Sequence, residues 1–384
     1  MFKIKTQNKI TRQGLDIFDP QNYAISDGET NPDAIIVRSA NMLDAEFNPE
    51  LKAIARAGIG VNNIPIDKCA EAGIVVFNTP GANANAVKEL AVAALVLSTR
   101  NIIDAVNWAK TLTTDVAKEV ETGKGKFAGY ELLGKTLGLI GIGKTGSLIA
   151  NAGIALGMNV MGTDPYMTIE SALSLSRSVK LAKERNEIIE KSDYISIHAT
   201  FTPETKHMIN AESIAKMKDG VRIINLSRAE LVDDDAMAAA LESGKVAKYV
   251  TDFPNEKVLK MKNAIAIPHL GASTEESEDN CAVMAVNQII DFLENGNIKN
   301  SVNYPDLAME RTTDTRICIF HRNVSGIISK VSSEFSELGI NIEHFTNRSR
   351  GDYAYTICDI NGKIPDNFVD KLLLDKDIIK INVL

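Results

Sequence analysis

Gly141-Ile142-Gly143-Lys144-Thr145-Gly146 follows the apolar run Thr136 to Ile140 and opens the helix-like stretch Ser147 to Leu156. In such a strand-to-helix turn the first glycine permits a tight bend, the second lets backbone approach a pyrophosphate, and the third lets helix and strand pack closely. The helix N-terminus then faces the anion, with Lys144 and Thr145 inside the turn. The glycine spacing alone also suits a plain connection. Asp164, however, stands 18 residues after Gly146 at the end of the next apolar run. There a carboxylate accepts hydrogen bonds from an adenosine ribose and repels a 2'-phosphate. Asp-Pro is also a common turn pair, and Asp164 precedes Pro165. Loop and carboxylate together predict a dinucleotide fold that takes NAD rather than NADP.

Outward from this loop, strands are expected at Thr136 to Ile140, Asn159 to Gly162, Tyr194 to His198, Val221 to Leu226, Lys248 to Phe253 and Ala264 to Ile267, with helices between most of them. One such helix, Asp233 to Ser243, has an acidic first turn and Gly244 at its end. Upstream, apolar runs at Ala34 to Val37, Leu51 to Ala57 and Ile74 to Phe77 give a second α/β unit, left through a helix at Asn83 to Thr99. Downstream, Thr274 to Glu294 reads as a helix leading back to that first unit, and Asn297 to Arg311, with Pro305, has linker character. The remainder reads as strand (Arg316 to His321), helix (Gly326 to Leu338), strand (Asn341 to Asn347), strand (Tyr353 to Ile360), helix (Asn367 to Leu373) and strand (Ile378 to Val383), a βαββαβ pattern. The expected architecture is therefore α/β: two Rossmann-like or flavodoxin-like domains with parallel sheets, plus a small α+β ferredoxin-like domain. Residues 1–99 with 285–308 would form one domain, 100–284 the dinucleotide domain and 312–384 the last.

The whole chain of 384 residues carries a net charge of -8 and has no basic cluster, which argues against nucleic acid and anionic membrane as partners. Its longest wholly apolar run, Leu90 to Leu97, falls far short of the roughly 20 residues of a spanning helix. No signal peptide is read in Met1 to Asp19, so a cytoplasmic protein is expected. Cys69, Cys281, Cys318 and Cys358 lack CxxC or zinc spacing, which suits free thiols in a reducing compartment and no metal.

Three charged residues lie just past strand ends, where open α/β sheets bind ligands: Arg228, Glu256 and His269. An arginine grips a carboxylate with a bidentate fork, and a histidine beside a carboxylate exchanges a proton. This is the set that interconversion of a 2-hydroxy acid and a 2-keto acid requires. His198 also ends a strand, so position alone does not choose between the histidines; it is read as structural or cofactor-adjacent.

These residues resemble the D-isomer-specific 2-hydroxyacid dehydrogenases. The resemblance rests on Leu137 to Gly146, on His198 to Thr205 (His-x-x-x-Thr-Pro-Glu-Thr), on Asn225, Arg228, Val232 and Asp233, and on Pro268 to Thr274. It implies Arg228 as the carboxylate-binding group, His269 as acid/base and Glu256 as its partner. NAD contacts would come from Thr79, Gly141, Gly143, Lys144, Thr145, Gly146, Asp164, Leu226, Arg228, Asp252, His269 and Ala272. The chain departs from the family in having Ala229-Glu230 where glycine is usual, and in the position of Asp252 relative to Phe253. Val37-Arg38-Ser39, Gly58 to Asn63 and Asn78 to Gly81 resemble the substrate loops of members that oxidise D-3-phosphoglycerate. Arg38, Ser39, Gly60 and Asn78 would thus join Arg228 and His269 on the substrate, with Arg38 and Ser39 on its phosphate. Lys88 could add charge or be an ordinary helix lysine.

The tail resembles the ACT regulatory domain. His321, Asn323 and Asn341 match positions that bind L-serine, although Ser325 stands where proline is usual, and Asn323 or Ser325 could instead cap a helix. The resemblance implies a homodimer or homotetramer with L-serine as effector. Two other readings stay open: a glyoxylate/hydroxypyruvate reductase, and an NAD-sensing protein of the co-repressor type.

Overall fold

The computed structural model describes residues 1–365 and 367–384. Five parallel strands form the first sheet: β1 (Phe2–Gln7), β2 (Tyr23–Ser26), β3 (Ala34–Val37), β4 (Ala53–Arg56) and β5 (Val75–Phe77), in the order β2-β1-β3-β4-β5. This is the flavodoxin-like order. β3 and β5 are buried along their whole length, as parallel strands covered on both faces should be. The sequence reading missed β1 and β2. β1 alternates Lys3 and Lys5 with Phe2 and Ile4, and only Ile4 is fully buried.

The second sheet has seven parallel strands: β6 (Thr136–Ile140), β7 (Asn159–Thr163), β8 (Lys180–Leu181), β9 (Tyr194–Ile197), β10 (Val221–Asn225), β11 (Val246–Thr251) and β12 (Ala264–Ala266). Their order, β12-β11-β10-β9-β6-β7-β8, reverses direction beside β6, the strand that feeds the glycine loop. A seventh strand, β8, joins the six expected. It is two exposed residues at the sheet edge, too short to leave a pattern.

Contacts divide the chain into residues 1–82 with 275–384, and 83–274. Both crossings come earlier than the sequence suggests. The helix Ala84–Thr99 belongs with the second sheet because Val87, Ala91, Ala94 and Leu95 share a core with Leu139, Ile149 and Val250. Its C-terminal end is tied there by Arg222 Nε donating to Ser98 O at 2.9 Å. The helix Glu275–Asn295 belongs with the first sheet, where Cys281, Ala285, Ile289 and Phe292 pack on Ile4, Ile36 and Phe77.

The tail folds as β13 (Thr315–Arg322), β14 (Ile342–Arg350), β15 (Tyr353–Ile360) and β16 (Ile378–Val383), antiparallel in the order β14-β15-β13-β16, with helices Ile327–Glu337 and Phe368–Leu373. One sheet face buries Ile317, Ile319 and Ile360 under its own helices. The other contributes Cys318, Phe320, Tyr355 and Ile357 to the core of the first sheet.

The expected linker is not one. Ile298, Asn303, Tyr304 and Leu307 are buried. Asn303 donates to Ile74 O at 2.8 Å and accepts from Val76 N at 2.9 Å, so its amide covers the open edge of β5. Its polar composition reflects buried hydrogen bonding to a strand edge, which composition alone cannot separate from solvated linker.

Candidate active site

In the second unit the glycines divide their labour as their spacing implies. Gly141 sits at φ +95°, and a side chain there would strike His198 O at 2.5 Å. A side chain at Gly146 would meet Gly141 O at 2.2 Å, so the helix Lys144–Ala155 packs against its own loop. At Gly143 a side chain would meet open space, and no side chain caps this helix. Its first N–H groups are thus available to an anion. Lys144 lies 4.0 Å from Glu170. Asp164, just past β7, accepts from Ile142 N and from Tyr166 N, each at 2.9 Å. The carboxylate therefore shapes the loop, and each oxygen keeps a lone pair for a hydroxyl.

At the carboxyl ends of β10 to β12 stand Arg228, Asp252 and His269. Arg228 donates to Ser227 O at 2.7 Å and has no carboxylate within 4.0 Å among the described residues. Its backbone is extended, and a short 3-10 turn, Ala229–Leu231, follows without any positive φ. Ala229 therefore fits where the family has glycine. Leu226 is buried nearby in sequence.

Asp252 is 1% exposed; its Oδ2 accepts from Gly271 N at 3.0 Å, and its Oδ1 is buried without a partner. Burial pushes its carboxyl up, against the Gly271 N–H and the charges of His269 and Arg228, and the net result is a pKa above the ordinary carboxylate value. His269 is exposed and stacks on Phe253 with ring centroids 4.9 Å apart. Ala272 lies in the loop that follows. Glu256 is exposed and makes no ion pair with His269 within 4.0 Å among the described residues. The carboxylate on which the His269 charge acts in this structure is that of Asp252.

His198 turns inward, its Nε2 2.8 Å from Ser196 Oγ, and burial lowers its pKa from 6.5 to about 4. The folded chain thus resists a proton that the unfolded chain accepts below pH 6.5. Stability from this group is complete above 6.5 and is lost as pH falls toward 4. His198→Gln should flatten that part of the urea-midpoint profile between pH 7 and 5; an unchanged slope would assign the loss elsewhere.

In the first unit, Arg38 follows β3 and Arg56 ends β4, with Val37 and Arg56 as register partners. Arg56 Nε donates to Arg38 O at 3.1 Å, and Arg38 Nη1 lies 2.6 Å from Glu278 Oε2. The backbone of Ser39 and Ala40 is held by Asn8 Oδ1 at 3.0 and 2.6 Å. Asn78 donates to Ile59 O at 2.9 Å and so braces the loop that carries Gly60. Thr79 is wholly buried beside Cys281, inside this unit. Lys88, in the other unit, pairs with Glu89 at 3.5 Å. Arg56 escaped the sequence reading because it falls inside the expected strand Leu51 to Ala57, whereas Arg38 was found by the likeness of its loop to the family's substrate loops. Glu278 left no sequence signal.

The expected effector residues do not converge within one chain. His321 is buried, with Nδ1 2.8 Å from Arg322 O and Nε2 3.0 Å from Thr356 Oγ1. Asn323 donates to Gly351 O at 3.0 Å. Neither Asn323 nor Ser325 caps the helix, which starts after Gly326 at φ +91°. Asn341 precedes β14, whose first residue pairs with Ile360, itself opposite Thr315 at the start of β13. Asn323 lies beyond the other end of β13. Asn341 therefore lies at the opposite end of the tail's sheet from His321 and Asn323, because the two strands run in the same direction and the helix between them carries the chain back.

Residues 92–271 match the family described as D-isomer specific 2-hydroxyacid dehydrogenase, NAD binding domain. The chain is 39% identical over 269 residues to a hydroxypyruvate reductase of Thermotoga maritima, covering 67% of this chain and 83% of that one. It belongs to the D-isomer-specific 2-hydroxyacid dehydrogenase family. Similarity to the D-3-phosphoglycerate dehydrogenase of Bacillus subtilis runs further, 33% identity over 355 residues, or 88% of this chain and 65% of the other. An NAD+-bound 3-phosphoglycerate dehydrogenase structure from Entamoeba histolytica aligns with a TM-score of 0.62 and 28% identity, covering 80% of this chain and 99% of that one. The chain spans 53% of the D-3-phosphoglycerate dehydrogenase of Methanocaldococcus jannaschii and 65% of the Bacillus protein, about half to two thirds of such relatives.

As a family member, the second unit is an NAD-binding domain, and its residues fit the dinucleotide. The open space at Gly143, the uncapped helix and the spare lone pairs of Asp164 suit a diphosphate and a ribose. The orphaned Oδ1 of Asp252 suits an amide donor. No helix among the described residues is long and apolar enough to cross a membrane.

Proposed function

We propose that this chain oxidises D-3-phosphoglycerate to 3-phosphohydroxypyruvate with NAD, the first step of L-serine biosynthesis. The observation that carries the substrate is the pair Arg38 and Arg56 on adjacent strand ends of one sheet. Two guanidinium groups there suit a phosphate dianion better than an uncharged hydroxymethyl. NAD, when bound, supplies the hydride acceptor. Arg228, with no carboxylate of its own, forks onto the substrate carboxylate. His269 takes the hydroxyl proton during oxidation and returns it during reduction. Glu256 is the carboxylate proposed to orient His269 in the filled site, and Asp164 selects NAD over NADP.

Four buried, free thiols suit a cytoplasmic setting. L-serine is the proposed effector. Because Asn323 and Asn341 lie at opposite ends of the tail's sheet, a serine site that uses both needs two chains, which fits a homodimer or homotetramer.

Turnover of 3-phosphohydroxypyruvate, hydroxypyruvate and glyoxylate, followed by NADH absorbance, tests this reading. The phosphorylated substrate should be preferred. Arg38→Ala should raise its KM about ten- to a hundredfold, the worth of a charge-assisted hydrogen bond, and disturb the others far less. Equal losses on all three would mean that Arg38 reads the shared carboxylate or only braces the fold. NADH binding without turnover of any keto acid would favour the NAD-sensing alternative.

A further inference from the structure

We propose that Gln288 is a positioning residue for the substrate loops of the first unit, fixing the peptide plane between Asn78 and Thr79 from which the turn at residues 58–60 is held. This rests on the reading of those two loops as substrate contacts. Gln288 is 8% exposed and lies on the packed face of the helix Glu275–Asn295. Its neighbours on that face, Cys281, Ala285, Ile289 and Phe292, belong to the apolar core. An amide among them needs a reason. Its Nε2 donates to Asn78 O at 3.0 Å, while its Oε1 is buried without a partner among the described residues. An unpaired buried acceptor costs about as much as one hydrogen bond returns, or more. The amide therefore adds little to stability on balance, and its contribution is to fix one carbonyl in place.

That carbonyl belongs to the peptide that joins the two loops. Asn78 O and Thr79 N lie on one rigid peptide unit and point to opposite sides of it. The N–H of Thr79 donates to Gly58 O at 3.0 Å, and the Asn78 side chain donates to Ile59 O at 2.9 Å. Gln288 holds one side of the plane, so the other side stays aimed at the turn. The N–H of Asn78 is tied to Asn300 O at 3.3 Å, but that bond belongs to the preceding peptide and leaves the 78–79 plane free to rotate. The turn has no brace of its own at Gly58. Its φ is +150°, and a side chain there would strike the Arg56 guanidinium at 1.6 Å. Gln288 thus acts through backbone, with no contact to the reacting carbon, and sets how much of the population has the turn in its substrate-ready position.

The test compares the intact wild-type chain with Gln288→Met, which keeps the length of the side chain and removes both the donor and the orphaned acceptor. KM for the keto acid that the wild type prefers should rise about two- to tenfold, the worth of one neutral hydrogen bond. The change in kcat should be much smaller, because Arg228 and His269 stand in the second unit. The urea midpoint should move little, since the lost bond is offset by the lost orphan. Hydrogen–deuterium exchange should quicken in peptides spanning residues 56–63 and 76–82 and stay unchanged in the strands of the second unit. A folded variant with wild-type KM and wild-type exchange in those two loops overturns the proposal. So does a variant that fails to fold, or one whose urea midpoint and kcat fall together with its affinity, since either outcome makes Gln288 an ordinary part of the core. If the wild type turns over no keto acid, the functional reading falls, and the exchange comparison alone still decides whether Gln288 fixes the 78–79 peptide.

Discussion

His269→Ala is expected to cut turnover by about 10²- to 10⁴-fold, the usual contribution of a positioned general acid or base, while NAD binding survives. The two effects separate because they arise on different strands. The dinucleotide loop follows β6 and is shaped by Gly141, Gly146 and Asp164. His269 follows β12 and rests on Phe253, so truncating it removes a proton carrier and one ring contact without touching the loop. Asp252 would feel the change most, since His269 is one of the charges that pull its carboxyl down. Steady-state kinetics and NADH fluorescence titration of the same preparation measure both. A variant within a few-fold of the wild-type rate would remove His269 from the proton-transfer step. Lost cofactor binding would show that the ring instead supports the dinucleotide side.

Truncating either member of the Arg316–Asp359 pair should destabilise the first unit by about 3–5 kcal/mol, the cost of leaving a buried charge alone. Both side chains are fully buried. Nε donates to Asp359 Oδ1 at 2.6 Å and Nη2 to Oδ2 at 2.8 Å, while Nη1 donates to Asn295 O and Met309 O at 2.7 and 2.8 Å. Burial alone would raise the Asp359 carboxyl, but Arg316 and the Thr312 N–H hold it below the usual value. The pair ties the tail's sheet to the last carbonyl of the helix Glu275–Asn295 and to Met309 O. Asp359→Ala should therefore expose the tail to limited proteolysis and lower the urea midpoint. The double replacement Arg316→Met with Asp359→Leu should recover much of that loss, because no lone charge remains. A single variant as stable as the wild type would show that solvent reaches the pair in solution.

The sequence was most informative where a local rule carries the meaning. Gly141 and Gly146 announce themselves because only glycine tolerates their φ or contact, and Asp164 because its spacing from the loop is set by one strand and one helix. Arg228 and His269 were legible because a charged residue just after a buried strand has few structural reasons to be there, and Arg38 through the likeness of its loop to the family's substrate loops. The tail's alternation of strand and helix periods was equally plain, and β15 and β16 were bounded to the residue. Less visible was anything whose partner lies far along the chain. Residues 297–311 looked like linker because Asn303 and Ser301 are polar, yet they cover β5, a strand more than 200 residues earlier in sequence. Short edge strands such as β8 carry too few residues for a period, and the exposed side chains of β2 follow none.

Local sequence thus determined the succession of elements, the dinucleotide loop and the chemical types at the strand ends, because backbone sterics and side-chain periodicity act over a few residues. Which charges meet was decided only by tertiary structure. Glu278 reaches Arg38 because the helix Glu275–Asn295 packs on the first sheet, and Glu256 does not reach His269 although each follows a neighbouring strand. Asn323 and Asn341, separated by one helix, lie at opposite ends of the tail's sheet because β13 and β14 run in the same direction. An ion pair or a shared ligand depends on distance in space, and that distance is set by packing of apolar faces that carry no record of which polar groups they bring together.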